Sequence, residues 1–150
     1  MDSKAAILVV DDDENIRNTM RAILEDEGYV VDLASTGKEA IQKTQKRAYN
    51  VALLDIRLPD MEGVELLKSM KDTIPRMRKI MVTGYPSMQN AIDALNKSAD
   101  GYLVKPVKVE KLLDTVKEQL EAQKSEREFS EEKVAEFIET RVKILSMDET

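Results

Sequence analysis

The chain has 150 residues, 42% of them hydrophobic and 35% charged, enough to build the core of a single globular domain. Its formal net charge of −6 and pI near 4.9 argue against a grip on nucleic acid or on an anionic membrane. It contains no cysteine and no histidine, which excludes disulfides, thiolate or imidazole metal sites and the usual catalytic triads, so any bound metal is expected to be a hard cation held by oxygen.

The first predicted strand, "AAILVV" over residues 5–10, runs straight into Asp11, Asp12 and Asp13. Ile16, Met20, Ile23 and Leu24 then line one face of a helix, and Gly28 follows as its C′ stop. "YVVDLA" (29–34) is a second strand, and Ala40, Ile41 and Thr44 mark a second helix. "NVALLD" (50–55) is a third strand ending on Asp55; after "LPDMEG", a third helix is marked by Val64, Leu67 and Met70. "KIMVTG" (79–84) is a fourth strand ending near Thr83. Met88, Ile92 and Leu95 mark a fourth helix, with Pro86 where a helix start tolerates it. "GYLVK" (101–105) is a fifth strand closing on Lys105, and Leu112, Leu113, Val116 and Leu120 mark a fifth helix. The first, third and fourth strands are nearly continuous apolar runs, as central parallel strands covered on both faces must be.

Strand and helix thus alternate five times with short connections. This predicts an α/β fold of the doubly wound (βα)5, flavodoxin-like kind, with a parallel sheet in the order 2-1-3-4-5. Its functional site is expected beyond the carboxyl ends of the strands, at the switch point between the first and third. Residues 1–121 read as this domain. Residues 122–150 read as a charged linker, "EAQKSEREFSEEK", followed by a separate amphipathic helix N-capped by Ser130, with Val134, Ile138, Val142 and Leu145 on one stripe. That stripe invites association as a short coiled coil; a homodimer would form through it or through the face of the fourth and fifth helices. No secretory leader pattern opens the chain and no apolar run approaches the roughly 18 residues of a membrane span, so the expected location is the cytoplasm.

The chemistry is expected at the strand ends. Asp11, Asp12, Asp55, Thr83 and Lys105 fall on one edge of a parallel sheet, where residues distant in sequence converge. Each has an ordinary structural role as an alternative: an aspartate after a strand can cap a helix, as Asp13 is expected to do, and a lone lysine is usually a solvated charge. All five landing on the same edge favours a site. Two charges about 4 Å apart interact by about 4 kcal/mol at an effective dielectric of 20, so three carboxylates need compensation. Magnesium suits them, because it takes one or two carboxylates, keeps waters and bridges to phosphoryl oxygens. A carboxylate can also act as a nucleophile and become an acyl phosphate, with the cation and Lys105 neutralising the transferred group.

The segments "ILVVDDDENIR", "LLDIRLPDMEG", "MVTGYPS" and "ADGYLVKP", in order and at matching spacing, resemble the receiver domains of two-component response regulators over residues 5–121. The resemblance implies that Asp55 accepts phosphate from a sensor histidine kinase or a phosphotransfer protein. It implies that Asp11, Asp12, Asp55 and the backbone carbonyl of Arg57 hold Mg2+, and that Thr83 and Lys105 contact the phosphoryl group. Tyr102 matches the switch aromatic that turns inward when the threonine moves, against the alternative of a half-buried strand aromatic. The surface of the fourth helix, fifth strand and fifth helix would then change to control a downstream effector, and the Lys105-Pro106 bond is expected to be cis. Departures lie at Lys108, which offers the last helix no side-chain cap, and at Arg57 and Tyr85, whose size suits a long-lived acyl phosphate.

Two other readings compete. Haloacid-dehalogenase-like phosphatases share an aspartate nucleophile, magnesium, a Thr or Ser and a Lys. They need a second aspartate two residues after the nucleophile, where this chain has Arg57, and their nucleophile follows the first strand rather than the third. The chain is therefore read as a switch and not as an enzyme. The other alternative is a receiver-like interaction module that takes no phosphate, although the residues phosphorylation needs are present.

Overall fold

The computed structural model describes residues 4–70, 73, 76–84 and 99–148. In chain order the elements are β1 (Ala6–Val10), α1 (Glu14–Asp26), β2 (Val30–Ala34), α2 (Gly37–Lys46), β3 (Val51–Asp55), α3 (Gly63–Ser69), β4 (Arg78–Thr83), β5 (Gly101–Val104) and α4 (Val109–Asp148). The predicted fourth helix, with Pro86, Met88, Ile92 and Leu95, lies outside the described residues, as does Tyr85.

The five strands are parallel and ordered β2-β1-β3-β4-β5, as the alternation predicts. β1 and β3 are buried along their whole length, because helices cover both faces of the sheet. One face packs Leu8, Leu54 and Met81 against Ala40, Leu66 and Leu67; the other packs Ile7, Leu53 and Ile80 against Leu24, Leu112 and Val116. α1 begins at the expected cap, where the Asp13 carboxylate accepts from the Ile16 N–H at 3.1 Å. It ends at Gly28, whose φ of 93° lets Tyr29 N–H reach Leu24 O at 3.2 Å and Gly28 N–H reach Glu25 O at 2.9 Å. α2 is capped by Thr36, which accepts from Glu39 N–H at 3.1 Å.

The amino ends of the strands are tied by a polar cluster. Asp100 accepts from Arg76 at 3.0 and 2.8 Å and from the Lys79 N–H at 2.8 Å. Gln119 of α4 accepts from Arg78 Nε at 2.8 Å and donates to Asp100 O at 3.2 Å. Gln123 donates to Arg76 O at 2.9 Å and accepts from Asn50 at 2.8 Å, while Asn50 accepts from the Ala6 N–H of β1 at 2.9 Å.

α4 corrects the expectation of a linker and a separate tail helix. It is one unbroken helix of 40 residues, and Ser130 lies in its interior rather than at a cap. Residues 122–133 are mostly Glu, Lys, Arg, Gln and Ala, strong helix formers with no Gly or Pro among them, so the charges form a solvated helix surface and not a break.

Candidate functional site at the carboxyl edge of the sheet

The parallel sheet delivers its polar strand ends to one place. Asp11 follows β1, Asp55 ends β3, Thr83 ends β4 and Lys105 follows β5. The ladder persists to this edge: Asp11 N–H donates to Ala34 O at 3.1 Å and Lys105 N–H to Thr83 O at 2.7 Å. Asp11, Asp55 and Thr83 are 2%, 8% and 2% exposed, whereas Asp12 faces solvent.

Each buried carboxylate is held twice. Asp11 Oδ1 accepts from the Asp13 N–H at 2.9 Å, and its Oδ2 lies 2.7 Å from Lys105 Nζ. Asp55 Oδ1 accepts from the Arg57 N–H at 3.1 Å, and its Oδ2 accepts from Lys105 Nζ at 3.1 Å. One ammonium therefore serves two carboxylates from different strands. Burial alone would lower the Lys105 pKa, but its hydrogen bonds to and charge attraction by Asp11 and Asp55 outweigh that and hold it above the ordinary lysine value.

Oxygens of Asp11, Asp12 and Asp55 lie within 4.8 Å of one another. Three carboxylates crowd this edge beside the Lys105 ammonium, and an all-oxygen donor set of this span fits a hard divalent cation. The donors come from two loops, so a cation there would join the ends of β1 and β3. Arg57 sits in the turn after Asp55 and pairs antiparallel with Glu62.

Tyr102 lies on β5, opposite Met81 of β4, with its ring against the cluster that includes Met81 and Ala99. Its hydroxyl is buried and, among the described residues, has no hydrogen-bond partner. Burial raises its pKa. The Lys105-Pro106 peptide is cis.

Three supports went unremarked in the sequence. Arg17 Nη1 donates to Asp11 O at 2.7 Å, bracing the first acidic loop from α1. Asp60 accepts from the Gly37 and Lys38 N–H groups at 2.9 Å each, pinning the loop after Asp55 to the start of α2; these bonds lower its pKa. Gly63 presses its backbone onto β3: a Cβ there would lie 2.3 Å from Asp55 O. The signal for Gly63 was a glycine at a helix start, where a capping side chain is usual.

The response regulator receiver domain family model matches residues 7–117. The transcriptional regulatory protein ZraR of Klebsiella oxytoca is 37% identical over 132 residues, covering 87% of this chain but 30% of its own length. The chain thus spans less than a third of that curated relative. Among solved structures, a CheY-like response regulator receiver domain protein from Methanospirillum hungatei JF-1 is 47% identical with a TM-score of 0.78, covering 83% of this chain and 99% of its own. NtrX from Brucella abortus is 32% identical with a TM-score of 0.80, covering 86% of this chain and 29% of its own.

Proposed function

This chain belongs to the response regulator receiver domain family, and from that premise we propose that it is the phosphoacceptor switch of a two-component system, with Asp55 as the acceptor. The observation that carries the reading is Lys105 bridging Asp11 and Asp55 beside Asp12 at one sheet edge.

The donor is a phosphohistidine of a sensor histidine kinase or phosphotransfer protein. An Asp55 carboxylate oxygen attacks phosphorus, the phosphorus–nitrogen bond breaks, and its electron pair leaves with the imidazole. The product is an acyl phosphate on Asp55. Asp11, Asp12, Asp55 and the Arg57 carbonyl would hold Mg2+, which supplies neutralisation of the charge on the transferred group. Arg57 N–H orients the acceptor through Oδ1. Lys105, already at Asp55 Oδ2, is placed to follow the new phosphoryl oxygens as a fixed cation. Thr83 donates to one of those oxygens, and Tyr102 responds from the next strand, changing the surface of the predicted fourth helix, β5 and α4. Moving such a switch from about 1:99 to 99:1 takes roughly 5.5 kcal/mol of preference. The surface it changes would meet an effector or output domain, and because the relatives ZraR and AlgB are transcriptional regulatory proteins, gene control is the first output to test.

The test is intact mass after incubation with acetyl phosphate, with and without magnesium. The expected result is one magnesium-dependent phosphoryl addition, absent from Asp55→Asn. An addition that survives in Asp55→Asn would remove Asp55 from the role. No addition from either acetyl phosphate or a kinase would leave an inert receiver-like module.

A further inference from the structure

α2, like every helix, begins with N–H groups that have no partner in its own first turn. The Thr36 hydroxyl takes the one from Glu39, at 3.1 Å. Those of Gly37 and Lys38 are taken by a carboxylate from another loop: Asp60 accepts them with Oδ1 and Oδ2, each at 2.9 Å. Bonds from two amides at a helix start to a charged acceptor are of the stronger kind, and the helix dipole favours the charge.

Asp60 stands at the tip of a short hairpin that starts two residues after Asp55. Arg57 and Glu62 pair antiparallel in its stem, Leu58 N–H donates to Met61 O at 3.2 Å across the turn, and Gly63 N–H closes the base on Ile56 O. Arg57 orients the acceptor, since its N–H donates to Asp55 Oδ1 at 3.1 Å. The tip is fastened to α2 twice, by Asp60 and by Met61, whose side chain lies on Gly37 where a Cβ would sit. The start of α2 is a firm support. Ser35, just before it, donates from its N–H and its Oγ to Glu39 Oε2 at 3.2 and 3.1 Å, and Glu39 pairs with Lys43 at 3.3 Å.

We propose that Asp60 is a positioning residue for the divalent cation: by tying the hairpin tip to α2, it holds the Arg57 carbonyl in register with the Asp55 carboxylate. The inference rests on the magnesium site of the proposed function. The N–H and carbonyl of Arg57 belong to successive peptide planes hinged at one Cα. A stem free to tilt at its tip would swing the carbonyl even while the N–H stays on Asp55. Magnesium requires near-octahedral oxygens at about 2.0–2.1 Å, so a carbonyl with play is a poor ligand. Groups that hold a metal's ligands in place are commonly worth about 10–100-fold in affinity. Glu62 separates this anchor from a plain effect of charge: it carries the same charge in the same hairpin, exposed and opposite Arg57, and its side chain makes no cap bond.

The test is the magnesium affinity of the full chain, read from amide nitrogen–proton shifts in a titration without phosphodonor. Asp60→Ala should weaken binding about tenfold and lose the exchange protection of the Gly37 and Lys38 amides, while keeping the dispersed spectrum of the folded domain. Asp60→Asn, which keeps one acceptor oxygen, should fall between it and wild type. Glu62→Gln, which removes a charge and leaves the anchor, should stay within about twofold of wild type, because an exposed charge is screened. Asp60→Ala binding as tightly as wild type, Glu62→Gln losing as much as Asp60→Ala, or a wild type with no magnesium-dependent shift would each overturn the proposal. A chain that binds magnesium and takes no phosphate from acetyl phosphate or a kinase would count against the phosphoacceptor reading and not against this anchor.

Discussion

Lys105 holds two buried carboxylates with one ammonium, so its removal sets Asp11 and Asp55 against each other with neither neutralised. In the absence of a divalent cation, Lys105→Ala should lower unfolding stability by about 1–3 kcal/mol at neutral pH, measured by urea titration. The pH dependence has a definite sign. Lys105 has a raised pKa in the folded protein, so its contribution is complete below the ordinary lysine value near 10.4 and is lost as pH climbs through the folded value. The gap between wild type and variant should therefore hold through pH 7–9 and narrow above about 10.5. The same variant should also show a larger rise in Tm with magnesium, since the added cation no longer competes with an ammonium for the same oxygens. An equal or smaller rise would mean that lysine and cation do not share these carboxylates.

The elements owe their placement to a few close approaches. A Cβ on Gly63 would lie 2.3 Å from Asp55 O and 2.8 Å from Ile56 Cα, both backbone atoms that cannot step aside. One on Gly37 would meet the Met61 side chain, with Sδ at 2.4 Å, which can swing away. Gly63→Ala should then cost about 3 kcal/mol or more, and Gly37→Ala about 1, compared by urea unfolding. Equal costs would mean that the α3 start moves off β3 freely. The contrast marks what the sequence could disclose. Strands were legible because β1, β3 and β4 carry nearly continuous apolar runs, and helices because Met20 and Leu24, or Leu112 and Val116, recur at helical spacing. The alignment of Asp11, Asp55, Thr83 and Lys105 on one edge followed from strand order alone. Gly63, Arg17 and Asp60 were not legible, because their contacts depend on which loop lies over which strand. The unbroken α4 was not legible because a dense run of charges suits a solvated linker as well as a solvated helix surface, and only the helix-forming propensity of the same residues separates the two.

Across the whole molecule, the acidic site and the point where α4 leaves the domain sit at opposite ends of the sheet. The polar cluster around Asp100 ties β1, the entry to β3, β4 and α4 at the end away from Asp55, and so fixes the direction in which α4 leaves. Asp100 is the pivot: its side chain is 10% exposed and neutralises Arg76 at 2.8 Å, with Arg78 at 3.5 Å. Asp100→Ala would leave Arg78, itself 12% exposed, with the half-open Glu126 as its carboxylate partner and the neutral Gln119 amide beside it. Removing one partner of a fully buried pair costs about 3–5 kcal/mol; with Arg76 half-open to solvent, about 2–3 is expected by urea titration. Phosphoryl addition from acetyl phosphate should be unchanged under conditions where the variant is folded, because no group of the cluster reaches the carboxyl edge. β5 nevertheless runs from Gly101, next to Asp100, through Tyr102 to the residue before Lys105. Should Asp100→Ala change phosphoryl addition while the domain stays folded, that short strand would be the connection between the acidic edge and the helix that leaves from the other end.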